Sequence, residues 1–292
     1  MLALTVCIAV STLISLIFKA FSRYGVRNLA AIVVNYAVCV VVGLLFEGSL
    51  PDVVELFQAD WLWVAGVLGF FFIAGFNFNA LAVQRVGIAV TSVVQRLSLL
   101  ISVLFAVLLY REALSYREAG GILLGMLAVP LVVGLKRIGG QPGGTPKGEV
   151  WLPIGVFLLA GGIETFLLVA ERSYNAGASA FFSILLFAWA GTIGLGILLL
   201  GPKPADRARV TPRDVLGGIA LGIPNFFSIH LILVALNQGP AAVTVYPVLN
   251  VGTILLSALL AWLLFRERLS PKQWAGVALA VIAIVVMAWG AD

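Results

Sequence analysis

The chain has 292 residues, of which 62% are hydrophobic and 11% charged, with a net charge of +5 and a mean hydropathy of +1.11. Soluble domains hold roughly 45–50% apolar and about 25% charged residues, so no single water-soluble core absorbs this sequence, and an all-α integral membrane protein is expected. The positive charge does not point to nucleic acid, because the basic residues fall in short loops between apolar runs, the ordinary signal of membrane topology.

Lipid-exposed backbone must satisfy its own hydrogen bonds, so long apolar runs mean helices. A transmembrane barrel would alternate polar and apolar residues instead. Spans are predicted at 2–18, 29–46, 61–83, 88–109, 116–135, 151–170, 179–200, 214–236, 241–264 and 271–290. A span needs about 20 residues, and the chain supplies ten.

The first span begins MLALTVCIAV, without a basic leader region, and reads as a retained helix and not a cleaved signal. It carries Cys7, and the second span carries Cys39 and Asn35. Both thiols read as small buried hydrophobes. A disulfide between them requires the first two spans to be neighbours, and no metal-binding pattern is present. The third span contributes Asn77 and Asn79. The fourth contains TSVVQRLSLL, in which Gln95 precedes Arg96.

Arg96 is the most expensive residue in the sequence. It stands ~13 Å into its span at 1.5 Å per residue, where an arginine costs roughly 2.5–3.5 kcal/mol on insertion scales. A guanidinium there suits a forked hold on a carboxylate or phosphate; the plainer alternative is a fixed pair that sets helix packing.

After the fifth span, KRIGGQPGGTPKGEV (136–150) is rich in Gly and Pro and reads as a linker. The sixth span holds Glu164 in LAGGIETFLL, roughly 9–10 Å from the far face. It is a candidate for binding an amine or for carrying a proton, and otherwise a partner for Arg96. Gly161 and Gly162 before it invite close approach of another helix. The eighth span brings Pro224, Asn225 and His230, the last a candidate proton-linked gate or hydrogen-bond donor. The ninth brings Tyr246, Pro247 and Asn250. Prolines inside spans kink helices, and broken helices often mark transport sites.

Fourteen of the 18 Lys and Arg residues fall on one side of the predicted spans, three on the other, and Arg96 lies within. The richer side is expected to be cytoplasmic. That would put both termini outside.

The segments 80–125 and 235–280 align at a constant offset of 155 residues without a gap. The offset matches Leu100 with Leu255, Ser102 with Ser257, Gln95 with Asn250, and Arg111-Glu112 with Arg266-Glu267. Leucine matches are cheap in membrane helices; a shared R-E-x-L-S is not. Two repeats are thus expected, 1–135 and 151–292, joined by the linker 136–150. Each holds five spans, an odd number, so the second enters the bilayer from the opposite side. Inverted repeats of this kind are a recurrent transporter construction, with the substrate site near the midplane between them.

The segments YREALSYREAGGILLG (110–125) and FRERLSPKQWAGVALA (265–280) resemble EamA-type members of the drug/metabolite transporter superfamily. The resemblance implies ten helices as two inverted five-helix repeats, a central cavity lined by spans one to four and six to nine, and no cofactor. It implies export of amino acids or carriage of other small metabolites, in a bacterial-type inner membrane. The expected partners are a small-molecule substrate and the lipid bilayer, with a monomer as the default state.

The substrate-binding candidates are Arg96, Glu164, His230, Gln95, Asn250, Asn77, Asn35 and Tyr246, with Glu164 and His230 also candidates for proton coupling. One cationic and one anionic group suit a zwitterion, so an amino acid is the expected cargo. An anionic metabolite such as an organic acid, phosphorylated sugar or nucleotide-type molecule is the alternative. A membrane-embedded enzyme would need a base beside a nucleophile or a metal cluster. A single histidine argues against it, and no catalytic residue is assigned. No Walker A pattern links the chain directly to ATP.

Overall fold

The computed structural model describes residues 2–48, 58–111, 115–133, 147–174, 180–200, 210–238 and 242–288. Side chains at 230 and 232–248 lie outside that description. Among the described residues the chain is helical throughout: α1 (Leu2–Tyr24), α2 (Asn28–Glu47), α3 (Leu62–Arg85), α4 (Ile88–Leu97), α5 (Leu99–Tyr110), α6 (Tyr116–Val133), α7 (Trp151–Tyr174), α8 (Ala180–Leu200), α9 (Pro212–Gln238), α10 (Ala242–Phe265) and α11 (Pro271–Ala288). A short 3₁₀ turn, Lys147–Glu149, precedes α7.

Among the described residues, six stretches are long and apolar enough to cross a membrane: Leu4–Tyr24, Asn28–Glu47, Leu62–Arg85, Ile88–Tyr110, Trp151–Ala170 and Phe181–Leu200. Shorter apolar helical stretches cover Ala119–Val132, Leu249–Phe265 and Pro271–Val286.

Helix ends follow capping chemistry. Before α9, the Thr211 N–H donates to Asp214 Oδ2 at 2.8 Å and the Asp214 N–H donates back to Thr211 Oγ1 at 3.3 Å. This reciprocal box satisfies two otherwise orphan donors. Ser270 and Gln273 repeat it before α11, at 2.9 and 3.3 Å. The arginine of the shared R-E motif follows α5 and α10 in the same way. Arg111 and Arg266 both adopt φ of 53°, a left-handed conformation uncommon outside glycine.

The fourth predicted span is interrupted. Ser98 separates α4 from α5 at φ −59° and ψ −20°, so the chain keeps turning in the same sense while losing regular hydrogen bonding. Ile101 N–H instead reaches Ser98 O at 2.8 Å, a tighter turn. The prolines behave differently from expectation: Pro224 sits inside continuous α9 and Pro247 inside continuous α10. The break lies two residues after Arg96, with no proline involved. The first helix also runs past the predicted residue 18 to Tyr24, because the basic residues beyond the apolar run do not stop a helix.

The helices pack as two interleaved groups and not as two sequence halves. α1 packs on α9 and α10; α3 packs on α7, and α7 packs on α4 and α5. α2 and α8 lie between, α2 against α9 and α8 against α3. α6 and α11 form a separate pair that touches α4 and α10. Close approach of α2 and α9 depends on Gly218 and Gly222. A Cβ on either would stand 2.7 Å from Ala31 O or 2.8 Å from Asn35 O. Small residues four apart let backbones meet in this way, where apolar lipid gives helices no hydrophobic reason to associate.

Candidate functional site

Arg96 ends α4, where its positive charge faces the negative end of the short helix. Its guanidinium crosses to α10. Nη1 donates to Asn250 Oδ1 at 3.3 Å and Nη2 donates to Thr253 Oγ1 at 3.4 Å. Thr253 Oγ1 is held in turn, donating to Leu249 O at 2.7 Å. Cys7 of α1 also stands within electrostatic range of the guanidinium. Arg96 therefore lies where the α1–α9–α10 group meets the α3–α4–α5–α7 group.

Glu164 of α7 approaches from the other side of the break. Ser102 Oγ of α5 donates to Glu164 Oε2 at 3.4 Å, while Ser98 Oγ at the break donates to Gln95 O at 2.5 Å. The charges of Arg96 and Glu164 interact, yet no N···O contact within 4.0 Å joins them. Gly161 and Gly162 fit the close approach expected of them, against Ile101 of α5 and Phe71 of α3.

The 155-residue offset reappears here as geometry. Gln95, Ser98 and Ser102 are spaced three and four apart, as are Asn250, Thr253 and Ser257. Such spacing puts each trio on one helix face. The partners of Arg96 on α10 are the counterparts of the two polar residues flanking it in sequence, Gln95 on α4 and Ser98 at the break. Ser98 and Thr253 were not among the predicted site residues, although the same offset pairs them.

The remaining candidates separate. Gln95 accepts from Asn79 Nδ2 at 3.1 Å and extends the polar row toward α3. Asn77 turns its Nδ2 back to Ile73 O, 2.8 Å away on its own helix. Asn35 is fully buried and accepts from Asn225 Nδ2 at 3.2 Å. Cys39 joins that pair, its thiol donating to Gly222 O at 3.4 Å. This cluster belongs to the α2–α9 interface, away from Arg96. Cys7 instead donates to Ser228 O at 3.3 Å, so both thiols are free. His230 lies in α9 and Tyr246 in α10, but their side chains are outside the described residues. Among those residues no cluster of three or more His, Cys, Asp or Glu suits a metal ion.

A second polar assembly closes one end of the groups. Lys19 Nζ and Glu267 Oε1 pair at 2.9 Å beside the α3–α4 turn. A cavity of about 330 Å³ opens there, lined by Lys19, Val86, Gly87, Val90, Arg266, Glu267, Arg268 and Leu269.

The model of the EamA-like transporter family matches the chain twice, over residues 1–134 and 146–289. The chain belongs to the EamA-like transporter family. This EamA-like protein is 28% identical over 282 residues to an uncharacterized protein of Haemophilus influenzae, covering 94% of this chain and 93% of that one. A solved crystal structure shares its fold with a TM-score of 0.57 at 20% identity, over 96% of this chain and 95% of the other. Membership makes the chain a multi-pass membrane protein of a transporter family.

Proposed function

We propose that this EamA-like protein is a secondary transporter that exports a small polar metabolite, an amino acid, by alternating access between two inverted five-helix halves. Ten bilayer crossings fit the reading, with α4 and α5 together filling the fourth. Packing supports the inversion: α1 against α9 is matched by α7 against α3, and α6 against α11 maps onto itself. The distribution of Lys and Arg supports a cytoplasmic linker and external termini, in a bacterial-type inner membrane.

The observation that carries the cargo assignment is the unpaired opposition of Arg96 and Glu164 across the break at Ser98. Arg96 has neutral partners, Asn250 and Thr253, which orient a guanidinium without neutralising it. Glu164 has a neutral partner, Ser102. A zwitterion satisfies both charges, its carboxylate at Arg96 and its ammonium at Glu164. An anionic metabolite would use Arg96 and leave Glu164 to carry a proton.

Uptake of a radiolabelled amino-acid panel into proteoliposomes tests the reading. Accumulation of at least one zwitterion in competition with its own unlabelled form is expected. Uptake of organic anions alone would move the assignment to the second cargo class.

A further inference from the structure

We propose that Lys19 and Glu267 form the latch that closes the basic face of the transporter, by inserting one ion pair into the turn between α3 and α4. The proposal rests on the alternating-access reading. It draws on a site distinct from the cargo residues.

The turn is dipolar. α3 ends there with free carbonyls, carrying partial negative charge, and α4 begins there with free N–H groups, carrying partial positive charge. The pair meets both ends with the matching sign. Lys19 Nζ donates to Val83 O at 3.1 Å and to Gln84 O at 3.5 Å. Glu267 Oε2 accepts from Ile88 N–H at 2.9 Å, while Oε1 faces Lys19. Gln84 Nε2 returns a bond to Phe18 O at 3.0 Å, tying α1 to α3 from the other direction.

Gly87 makes the seat. Its φ of 121° and ψ of 159° are open essentially to glycine alone. A Cβ there would stand 2.8 Å from Glu267 Oε2. Side-chain exposures of 21% for Lys19 and 17% for Glu267 set the pair apart from a solvated surface bridge.

Among the ion pairs described at this face, Lys19–Glu267 is the one that engages both groups. Lys19 follows the apolar part of α1 and Glu267 follows α10, both in one group; the α3–α4 turn belongs to the other. The other two ion pairs described at this face do not cross between these groups. Arg27 beside α2 pairs with Asp214 of α9 at 2.6 Å, and Arg85 of α3 pairs with Glu149 ahead of α7 at 3.6 Å. Rocking one group against the other withdraws the Lys19–Glu267 pair from its turn while leaving those two intact. The cavity beside it, walled by both groups, is the seam along which they part.

The test is a distance measurement between spin labels at Tyr24→Cys on α1 and Gly148→Cys before α7, in the full chain reconstituted in liposomes. Tyr24 is 64% exposed, and the native Cys7 and Cys39 are 1% and 0% exposed and escape labelling. The unaltered latch gives mainly the short distance. Glu267→Gln and Lys19→Met are each expected to raise the long-to-short ratio about fivefold, the scale on which ligands and charges bias such equilibria. Arg85→Gln, which removes a pair of the same type at the same face, leaves the ratio unchanged. Two distance populations that ignore both Glu267→Gln and Lys19→Met overturn the latch alone, as does an equal response to Arg85→Gln. One unchanging population in every variant removes the alternating-access reading and the latch with it.

Discussion

Asn250 on α10 accepts a hydrogen bond from the Arg96 guanidinium on α4 at 3.3 Å, and Asn250 is the repeat counterpart of Gln95, the residue beside Arg96. One polar position, duplicated, thus serves two ends: one copy flanks the charge and the other orients it. Arg96 itself maps onto Val251, so the charge is an addition to a symmetric polar frame and not part of it.

Removing the charge removes the anchor. Arg96→Ala is expected to lower transport about 10- to 100-fold, as the loss of a hydrogen bond to a charged group costs roughly 1.5–3 kcal/mol. Arg96→Lys recovers only part, because an ammonium lacks the planar fork. Proteoliposome uptake of the best amino acid, with size-exclusion profiles as a check on folding, decides the matter; wild-type rates in Arg96→Ala would remove it from the site.

Asn250→Ala and Thr253→Val leave the charge and loosen its aim. Each is predicted to raise the apparent KM about 10-fold with a smaller change in maximal rate, since each removes one hydrogen bond to a charged group, which contributes about 1.5–3 kcal/mol. Concentration-dependent uptake separates the two parameters. A fall in maximal rate at constant KM would mean that α10 contributes to the conformational step instead.

Glu164→Gln keeps the shape and an acceptor for Ser102 while removing charge and titration. If the carboxylate holds the ammonium of cargo, uptake of zwitterions falls while any residual anion uptake is spared. If it carries protons, uptake in the variant loses its response to an imposed proton gradient. Uptake assays from about pH 5 to pH 8, the range a buried carboxylate or histidine can span, distinguish the two. Indifference of the wild type itself to pH and gradient would exclude a coupling role.

Asn225→Leu attacks packing and not cargo. It leaves buried Asn35 Oδ1 with only the weak Cys39 thiol donor at 3.8 Å, and under-satisfying a buried polar group costs about 1–3 kcal/mol. A lower thermal midpoint with little change in KM is the expected result. A raised KM at unchanged stability would put the α2–α9 cluster in contact with the substrate path.

Much of this architecture is legible in the residues. Apolar runs separated by short basic loops announce helices because lipid offers the backbone no other partners. The R-E-x-L-S pair announces the repeat, and the shared φ of Arg111 and Arg266 shows what it encodes: a left-handed helix stop. Arg96 and Glu164 are conspicuous because charge inside a span is costly. Ser98 was not conspicuous. Serine is common in membrane helices, and its place at a break depends on what packs around it. Asn35 shows the complementary case. An asparagine reads the same whether it faces a cavity or another asparagine, and only the approach of α9 through Gly218 and Gly222 selects the second.

By itself, then, the sequence determined the solvent, the helices and the two charges within spans, since each follows from local composition and spacing. Tertiary structure decided which charges stay apart and which meet. Lys19 and Glu267 are 248 positions apart in sequence and 2.9 Å apart in space, whereas Arg96 and Glu164 share the interior without pairing. The physical reason is that helix packing in a membrane is set by small residues and interhelical hydrogen bonds, whose partners lie on helices distant in the chain.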